Sequence, residues 1–437
     1  MKIAVVGSGV SGLGAALALS DAHDVRLFEQ DARFGGHANT VEIEHSGQKI
    51  AVDTGFIVFN DRNYPNLCAL FDALGVPSED SDMSFGVSLG GGAMEYACGN
   101  LDQVFAQRWR VVDPSHLRAF RDVMRFNRIA PKELASGAID GWTIGDWMRD
   151  RGFGRNFREN FLLAMGGAIW STSPSKMEGF PARSFVQFFK NHELMSGFDR
   201  RIQWRTVTGG SRQYVRRVLQ RLGPRAQAGV GAQAVERQPN GQVRIRFTDG
   251  SDDVFDQVVL ATHSDQALGL LKDADANEFE ILSSVRYSEN TAILHRDPGL
   301  MPRRRKVWSS WNVISEPGSE RQPASVTYWM NRLQNLDPTR DVFVSLNPIR
   351  EPDPDLVFGR YSYAHPLYDQ AAFDAQAAID AIQGRRGVWF AGAWLGWGFH
   401  EDGLKSGLRV AQALGARPDW ARETGAPIRP EIAIAAE

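Results

Sequence analysis

The segment VVGSGVSGLGAALAL, from Val5 to Leu19, constrains the fold more than any other part of the chain. Ahead of it, KIAVV is a continuous apolar run with β-branched residues, the pattern of a strand buried in a parallel sheet. Behind it, an Ala- and Leu-rich run predicts a helix. Gly7, Gly9 and Gly12 sit at the junction. At this spacing the first glycine permits a tight turn, the second lets the backbone approach a pyrophosphate, and the third brings helix and strand close. The helix start offers N–H groups and a partial positive charge to phosphate oxygens. A second strand, DVRLFE, ends at Glu29, twenty residues beyond Gly9. A carboxylate there accepts hydrogen bonds from a ribose diol and repels the extra phosphate of NADP. The unit predicts a dinucleotide-binding βαβ element.

The remaining bulk properties narrow the class. At 437 residues the chain is long enough for two domains. Its 43% apolar and 23% charged content is that of a soluble globular protein. A net charge of -3 supplies no basic field, so no nucleic-acid partner is expected. Cys68 and Cys98 form no metal-binding spacing; no metal is expected, and a reducing, cytoplasmic setting fits. The first strand begins at Lys2, so no leader is expected, and no apolar run approaches a membrane span. Twelve tryptophans and 25 phenylalanines leave two readings open, a large apolar cavity or a densely aromatic core.

After Glu29 comes QDARFGGHANT, with Gln30, Arg33, Gly35, Gly36, His37 and Thr40. This resembles the double-glycine segment of flavoproteins of the amine oxidase and phytoene desaturase superfamily, and the resemblance implies FAD rather than NAD. His37 stands where many members carry a second arginine. TGGSRQYV, from Thr208, opens a further helix, and three amphipathic or apolar runs after it predict a β-meander leading back to the sheet through VVLATHSD. By resemblance Val230 meets the adenine edge through its backbone, while His263 reads as a solvated loop histidine. Near the end, VWFAGAWLGWGFHEDGLKSGLRVAQAL returns to the nucleotide region. There the resemblance implies contacts from Gly392, Glu401, Asp402 and Gly403, with helix N–H groups facing the flavin pyrimidine. Ala393 replaces the usual ribityl-binding acid. Gly55 and Phe56 complete the implied cofactor set. Marks at residues 7–55, 209–263 and 389–407, in this order, extend the resemblance over almost the whole chain.

The expected fold is therefore α/β: a Rossmann-like FAD-binding domain of the glutathione-reductase type (1–59, 206–277 and 386–417) and a second α+β substrate domain (60–205 and 278–385). Residues 418–437 read as a surface arm. The first insertion looks mainly helical. Leu67, Leu70, Phe71 and Leu74 share one helix face; Leu117, Phe120, Val123, Met124 and Phe126 mark another helix, and a long helix is expected from Thr143 to Trp170. The aromatic runs KVWSSWNVI, SVTYWMNRLQ and DVFVSLNPI in the second insertion predict an antiparallel sheet. Sheet and helices together would enclose an apolar pocket over the flavin.

Local phrases, MPRRRKVWSSWN, TYWMNRLQNL, AHPLYD and GFHEDGL, are similar to one bacterial branch of the superfamily, associated with cyclopropane-synthase-like methyltransferases. This implies desaturation of methyl-branched fatty acyl chains of membrane lipids, toward furan fatty acids, with hydride transfer to flavin N5. Candidate catalytic residues are His400, Glu401 and, more weakly, His365. Tyr328, Trp329, Trp311 and Trp397 are candidates for the substrate pocket. Glu401 reads first as a helix N-terminal acid or a flavin-facing structural group, and only second as catalytic. VRYSENTAILHR holds no lysine where amine oxidases commonly carry one. Other open readings are a flavin oxidase of polyisoprenoids or small amines, and a non-redox lipid carrier like the Rab escort proteins. Arg303, Arg304, Arg305 and Lys306 beside Trp308 and Trp311 suggest contact with anionic headgroups, placing the protein at the inner face of the membrane, or simply an exposed charged turn. Monomer and homodimer both remain open.

Overall fold

The computed structural model describes residues 1–195, 202–318, 325–422, 424–425 and 428, so most of the expected C-terminal arm lies outside it. The fold is mixed α/β with several sheets. Five strands form one sheet in the order Ala226–Ala228, Asp24–Glu29, Lys2–Val6, Gln257–Leu260, Val388–Phe390. Every pairing in it is parallel. The first strand alternates between two buried faces, as its apolar run requires. Ile3 and Val5 pack with the helices Val10–Leu19 and His400–Ala413. Ala4 and Val6 pack on the antiparallel meander Ala232–Arg237, Val243–Phe247, Asp252–Phe255.

The two helices on the first face cross closely. A Cβ at Gly407 would lie 2.3 Å from the Ser11 carbonyl oxygen, and one at Gly14 would lie 2.3 Å from Leu404 Cδ1. The crossing thus depends on missing side chains.

A seven-stranded sheet runs Val357–Pro366, Tyr287–His295, Phe343–Leu346, Ser325–Trp329, Trp311–Ile314, Phe85–Leu89, Met94–Ala97. The five strands of the second insertion pair antiparallel, as their patterning predicts. The last two come from the first insertion, expected to be mainly helical. Trp311–Ile314 runs parallel to Phe85–Leu89, so the sheet is mixed. Strands of five and four residues are too short to show a period between longer helical runs.

Helices Pro114–Ser136, Leu163–Trp170 and Ala182–Asn191 cover this sheet, whereas Pro65–Leu74 packs beside His400–Ala413 in the core of the parallel sheet. The long helix expected from Thr143 is broken. Thr143 Oγ1 does accept from the Asp146 N–H, but Ile144–Asp150 stops before Gly152, whose φ is +68°. The chain restarts at Arg155 and passes through a π turn, Arg158–Leu162. Much of the aromatic content is core: Phe126, Trp147, Phe157, Phe185 and Phe189 are fully buried together. Among the described residues no helix is long and apolar enough to cross a membrane.

Gly407→Val places methyl groups where the Ser11 carbonyl stands. Overpacking of this kind is expected to destabilise by about 1–3 kcal/mol, read as a lower midpoint of urea unfolding. An unchanged midpoint would show that the helix crossing can open.

Candidate active site

A cavity of about 660 Å³ starts at the carboxyl ends of the parallel strands and runs beneath the seven-stranded sheet and its helices. Gly7, Ser8, Gly9, Glu29, Gln30, Gly36 and Gly392 line its first end. This is where open α/β sheets bind ligands. Gly7 has φ +98°, and a Cβ there would lie 2.6 Å from the Ala261 carbonyl oxygen. A Cβ at Gly12 would lie 1.9 Å from the Gly7 oxygen. At Gly9 a Cβ would meet nothing within 4 Å, because it would point into the cavity. Packing therefore compels the first and third glycines, while the second is left bare for what the cavity holds. Glu29 is buried on the wall. Its Oε2 accepts from Ser8 N–H (2.9 Å) and Ser8 Oγ (2.6 Å), and its Oε1 accepts from Asp31 N–H (3.0 Å). A bare glycine, a first helical turn and a fixed carboxylate fit a dinucleotide.

Other expected cofactor residues divide into wall and support. His37, Gly55 and Phe56 line the cavity. Arg33 does not; it donates to the carbonyls of Phe34, Gly36 and Ala38 and so clamps the double-glycine loop. Gly35 and Gly36 take φ of +115° and +56°, and only Gly36 reaches the wall. Thr40 also stands behind the wall. Its hydroxyl donates to Asp53 and accepts from Arg212 N–H (2.9 Å). Val230 is set back, with its N–H donated to the Glu29 carbonyl (2.9 Å), and Gly231 and Ala232 face the cavity instead.

Glu401, Asp402 and Gly403 lie outside the cavity wall, contrary to the expected contacts. The Glu401 carboxylate accepts from Asn66 N–H (3.0 Å), Asn66 Nδ2 (2.8 Å) and Leu67 N–H (3.0 Å), at the start of helix Pro65–Leu74. It caps a neighbouring helix and is not available to substrate. Asp402 Oδ2 accepts from the N–H groups of Trp397 and Phe399, both at 3.0 Å, and burial raises its pKa to about 6. Gly403 makes room for Val10, whose Cγ1 is 2.7 Å from where a Cβ would stand. Asp53, which the sequence reading passed over, is fully buried and accepts from Ser211 N–H, Ser211 Oγ and Gln334 Nε2. Burial raises its pKa to about 6. Its signal in the sequence is a lone acid closing the apolar run IAVD.

The middle of the cavity carries histidines. His400 is buried, stacked on Phe56 with ring centroids 3.7 Å apart, and its Nε2 lies 3.3 Å from the Tyr214 hydroxyl. Burial pushes its pKa down to about 3. His365, held at about 4 by burial, stands 5.4 Å from the His37 ring. Burial and then His365 hold His37 well below its ordinary value. His263 is not the solvated loop residue expected; it stacks at 4.4 Å on Tyr287 and lines the cavity.

The far end is aromatic. Trp311 meets Tyr328 edge-on at 4.9 Å, and Trp397 lines the wall. Trp329 is turned away, its indole donating to Asp341 (3.0 Å). Trp170 and Tyr368, hidden in the sequence among many core aromatics, also line this end. The indole nitrogens of Trp170 and Trp311 and the Tyr368 hydroxyl are buried without a hydrogen-bond partner among the described residues. Glu29 is the one Asp, Glu, Lys or Arg among the described lining residues.

Residues 10–293 match the family described as flavin containing amine oxidoreductase, and the chain belongs to that family. It is an FAD-dependent oxidoreductase. No curated protein matches it in sequence. Solved structures share the fold. A CLA-producing fatty acid isomerase from P. acnes aligns at 16% identity and TM-score 0.63, covering 93% of this chain and 96% of that one. Putrescine oxidase bound to putrescine aligns at 16% identity and TM-score 0.66, covering 95% and 100%. Cyclohexylamine oxidase from Brevibacterium oxydans aligns at 15% identity and TM-score 0.66, covering 94% and 98%.

The buried histidines fix a sign for acid stability. Unfolded histidine takes a proton near its ordinary value of about 6.5, whereas burial holds His192, His295 and His365 at about 4 and His400 at about 3. Over that window the unfolded state binds more protons, so stability falls as pH drops. Asp53 and Asp402, raised to about 6, oppose this below pH 6 but are fewer. The thermal midpoint is expected to fall between pH 7 and pH 5, measured by calorimetry on the FAD-loaded protein; a rise would contradict the buried neutral state.

Proposed function

We propose that the protein desaturates a methyl-branched fatty acyl chain of a membrane phospholipid, a step toward furan fatty acids. The observation that carries this reading is the far end of the cavity, where Met83, Phe85, Met165, Ile169, Leu194 and Trp311 form a wall without a carboxylate or a lysine among the described residues. An ammonium there would have no counter-charge, and burying it unpaired is costly. An alkyl chain loses nothing by entering. The shared fold of a fatty acid isomerase is compatible with such a substrate.

On this reading the FAD-binding domain, of glutathione-reductase type, comprises residues 1–59, 206–277 and 386–417, with the substrate domain in 60–205 and 278–385. Bound FAD would accept the hydride released from the acyl chain. The glycine loop and Glu29 would hold its nucleotide, and the aromatic walls would exclude water. His400, neutral and held between Phe56 and the Tyr214 hydroxyl, is assigned to take the proton.

The test is anaerobic mixing of the FAD-loaded enzyme with a phospholipid bearing a methyl-branched unsaturated chain, and separately with small amines and polyisoprenoids. The lipid is expected to bleach the flavin and return two hydrogens lighter. Bleaching by an amine or polyisoprenoid and not by the lipid would overturn the assignment.

A further inference from the structure

We infer that the face formed by residues 101–132 docks on an anionic phospholipid bilayer. Six of the nine large apolar side chains left exposed among the described residues fall in this short stretch: Leu101, Trp109, Val111, Val112, Leu117 and Met124. Val112 is 78% exposed and Trp109 58%. Clustering of this kind marks an interaction surface. The helix Pro114–Ser136 buries Phe126, Ala130 and Leu134 on its inner side. On its outer side Leu117, Arg121, Met124 and Arg128, at spacings of four, three and four, form one exposed stripe. Arg118 and Lys132 flank it.

Charge selects the partner. Residues 101–132 hold seven Arg or Lys and three Asp, a net +4 in a chain of net -3. All three acids are engaged: Asp102 with Arg108 and Lys306, Asp113 with Arg110, and the buried Asp122 with the Gly154 N–H and, at 3.8 Å, Arg118. The helix stripe therefore presents cations and apolar groups with no acid of its own, and the exposed acid on the face, Asp102, is paired with Arg108 and Lys306. A two-fold dimer through this face would set cations against cations. An anionic bilayer accepts both features, since basic groups near its surface gain from the negative potential and Trp and aliphatic groups enter the interface.

The basic segment 303–306 meets this face, with Lys306 Nζ 2.7 Å from Asp102 and the Lys306 carbonyl accepting from Gln103 (3.1 Å). Its charges are mostly paired, Arg304 with Glu95 and Arg305 with Asp341, so it borders the docking surface and is not its centre. The hairpin Phe85–Leu89 and Met94–Ala97 separates the face from the cavity. Phe85 lines the chamber, and on the other side Gln107 accepts from the Glu95 N–H at 3.1 Å. The docking face thus lies on the substrate side, away from the parallel sheet.

This inference rests on the surface alone and stands whichever compound fills the chamber. The FAD-loaded protein is floated with synthetic vesicles of phosphatidylcholine, with and without phosphatidylglycerol, their acyl chains unbranched so that turnover plays no part. Binding to the anionic vesicles is expected to be at least tenfold tighter and to weaken with salt. Arg121→Glu with Arg128→Glu should reduce it by tenfold or more, and Trp109→Ser with Val112→Ser by severalfold. Flavin content and thermal midpoint should be unchanged in both. Equal affinity for the two vesicles, absence of vesicle binding, or concentration-dependent self-association lost in Trp109→Ser with Val112→Ser would each overturn the proposal.

Discussion

The floor of the active site exists because backbones approach where no side chain intervenes. The Gly7 turn rests on the Ala261 carbonyl, Gly12 brings the first helix onto that turn, and Gly407 lets the last helix cross the first at Ser11. These contacts join the beginning, middle and end of the chain. The parallel sheet is assembled from the same remote pieces, so strand order and cofactor floor are one constraint seen twice. A side chain at either helix crossing would move the whole floor, because the two helices cover the sheet face carrying Ile3 and Val5.

Buried carboxylates then fix the walls. Glu29 is tied to Ser8 and Asp31, Asp53 to Ser211 and Gln334, Glu401 to Asn66 and Leu67, and Asp402 to Trp397 and Phe399. Each accepts N–H groups that would otherwise be orphaned at a turn or helix start. Asp53, Glu401 and Asp402 are thereby withdrawn from the chamber, and Glu29 alone stays on its wall, at the nucleotide end. The consequence is an interior whose titratable groups, Glu29 apart, are imidazoles and phenols.

This division explains what could be read from the sequence. Gly7, Gly9, Gly12 and Glu29 were legible because loop geometry demands those residue types at fixed spacing. Glu401 was not, since a carboxylate beside a glycine-rich helix start has the same local sequence whether it faces a cofactor or caps another helix. That choice is made by helix Pro65–Leu74, more than three hundred residues earlier. The strands Phe85–Leu89 and Met94–Ala97 were hidden for a similar reason: their partner, Trp311–Ile314, is remote, and nothing local shows that an edge is waiting. Trp170 and Tyr368 resemble every other core aromatic until the fold sets them on the cavity wall.

Leu117 and Met124 carry the same lesson outward. In the sequence they complete an apolar helix pattern with Phe126, yet the fold buries Phe126 and leaves both exposed among arginines. Helical periodicity counts apolar positions but does not say which of two stripes meets the core. Here one stripe meets the core and the other meets solvent. A chamber uncharged at its far end and a cationic, greasy surface outside are separated by one hairpin. An amphiphile with an anionic head and an alkyl tail is the kind of molecule whose two ends match both environments. The charge segregation is therefore one arrangement with two sides. Acids consumed as backbone staples leave the far end of the interior neutral, and arginines with few acids around them leave the exterior positive.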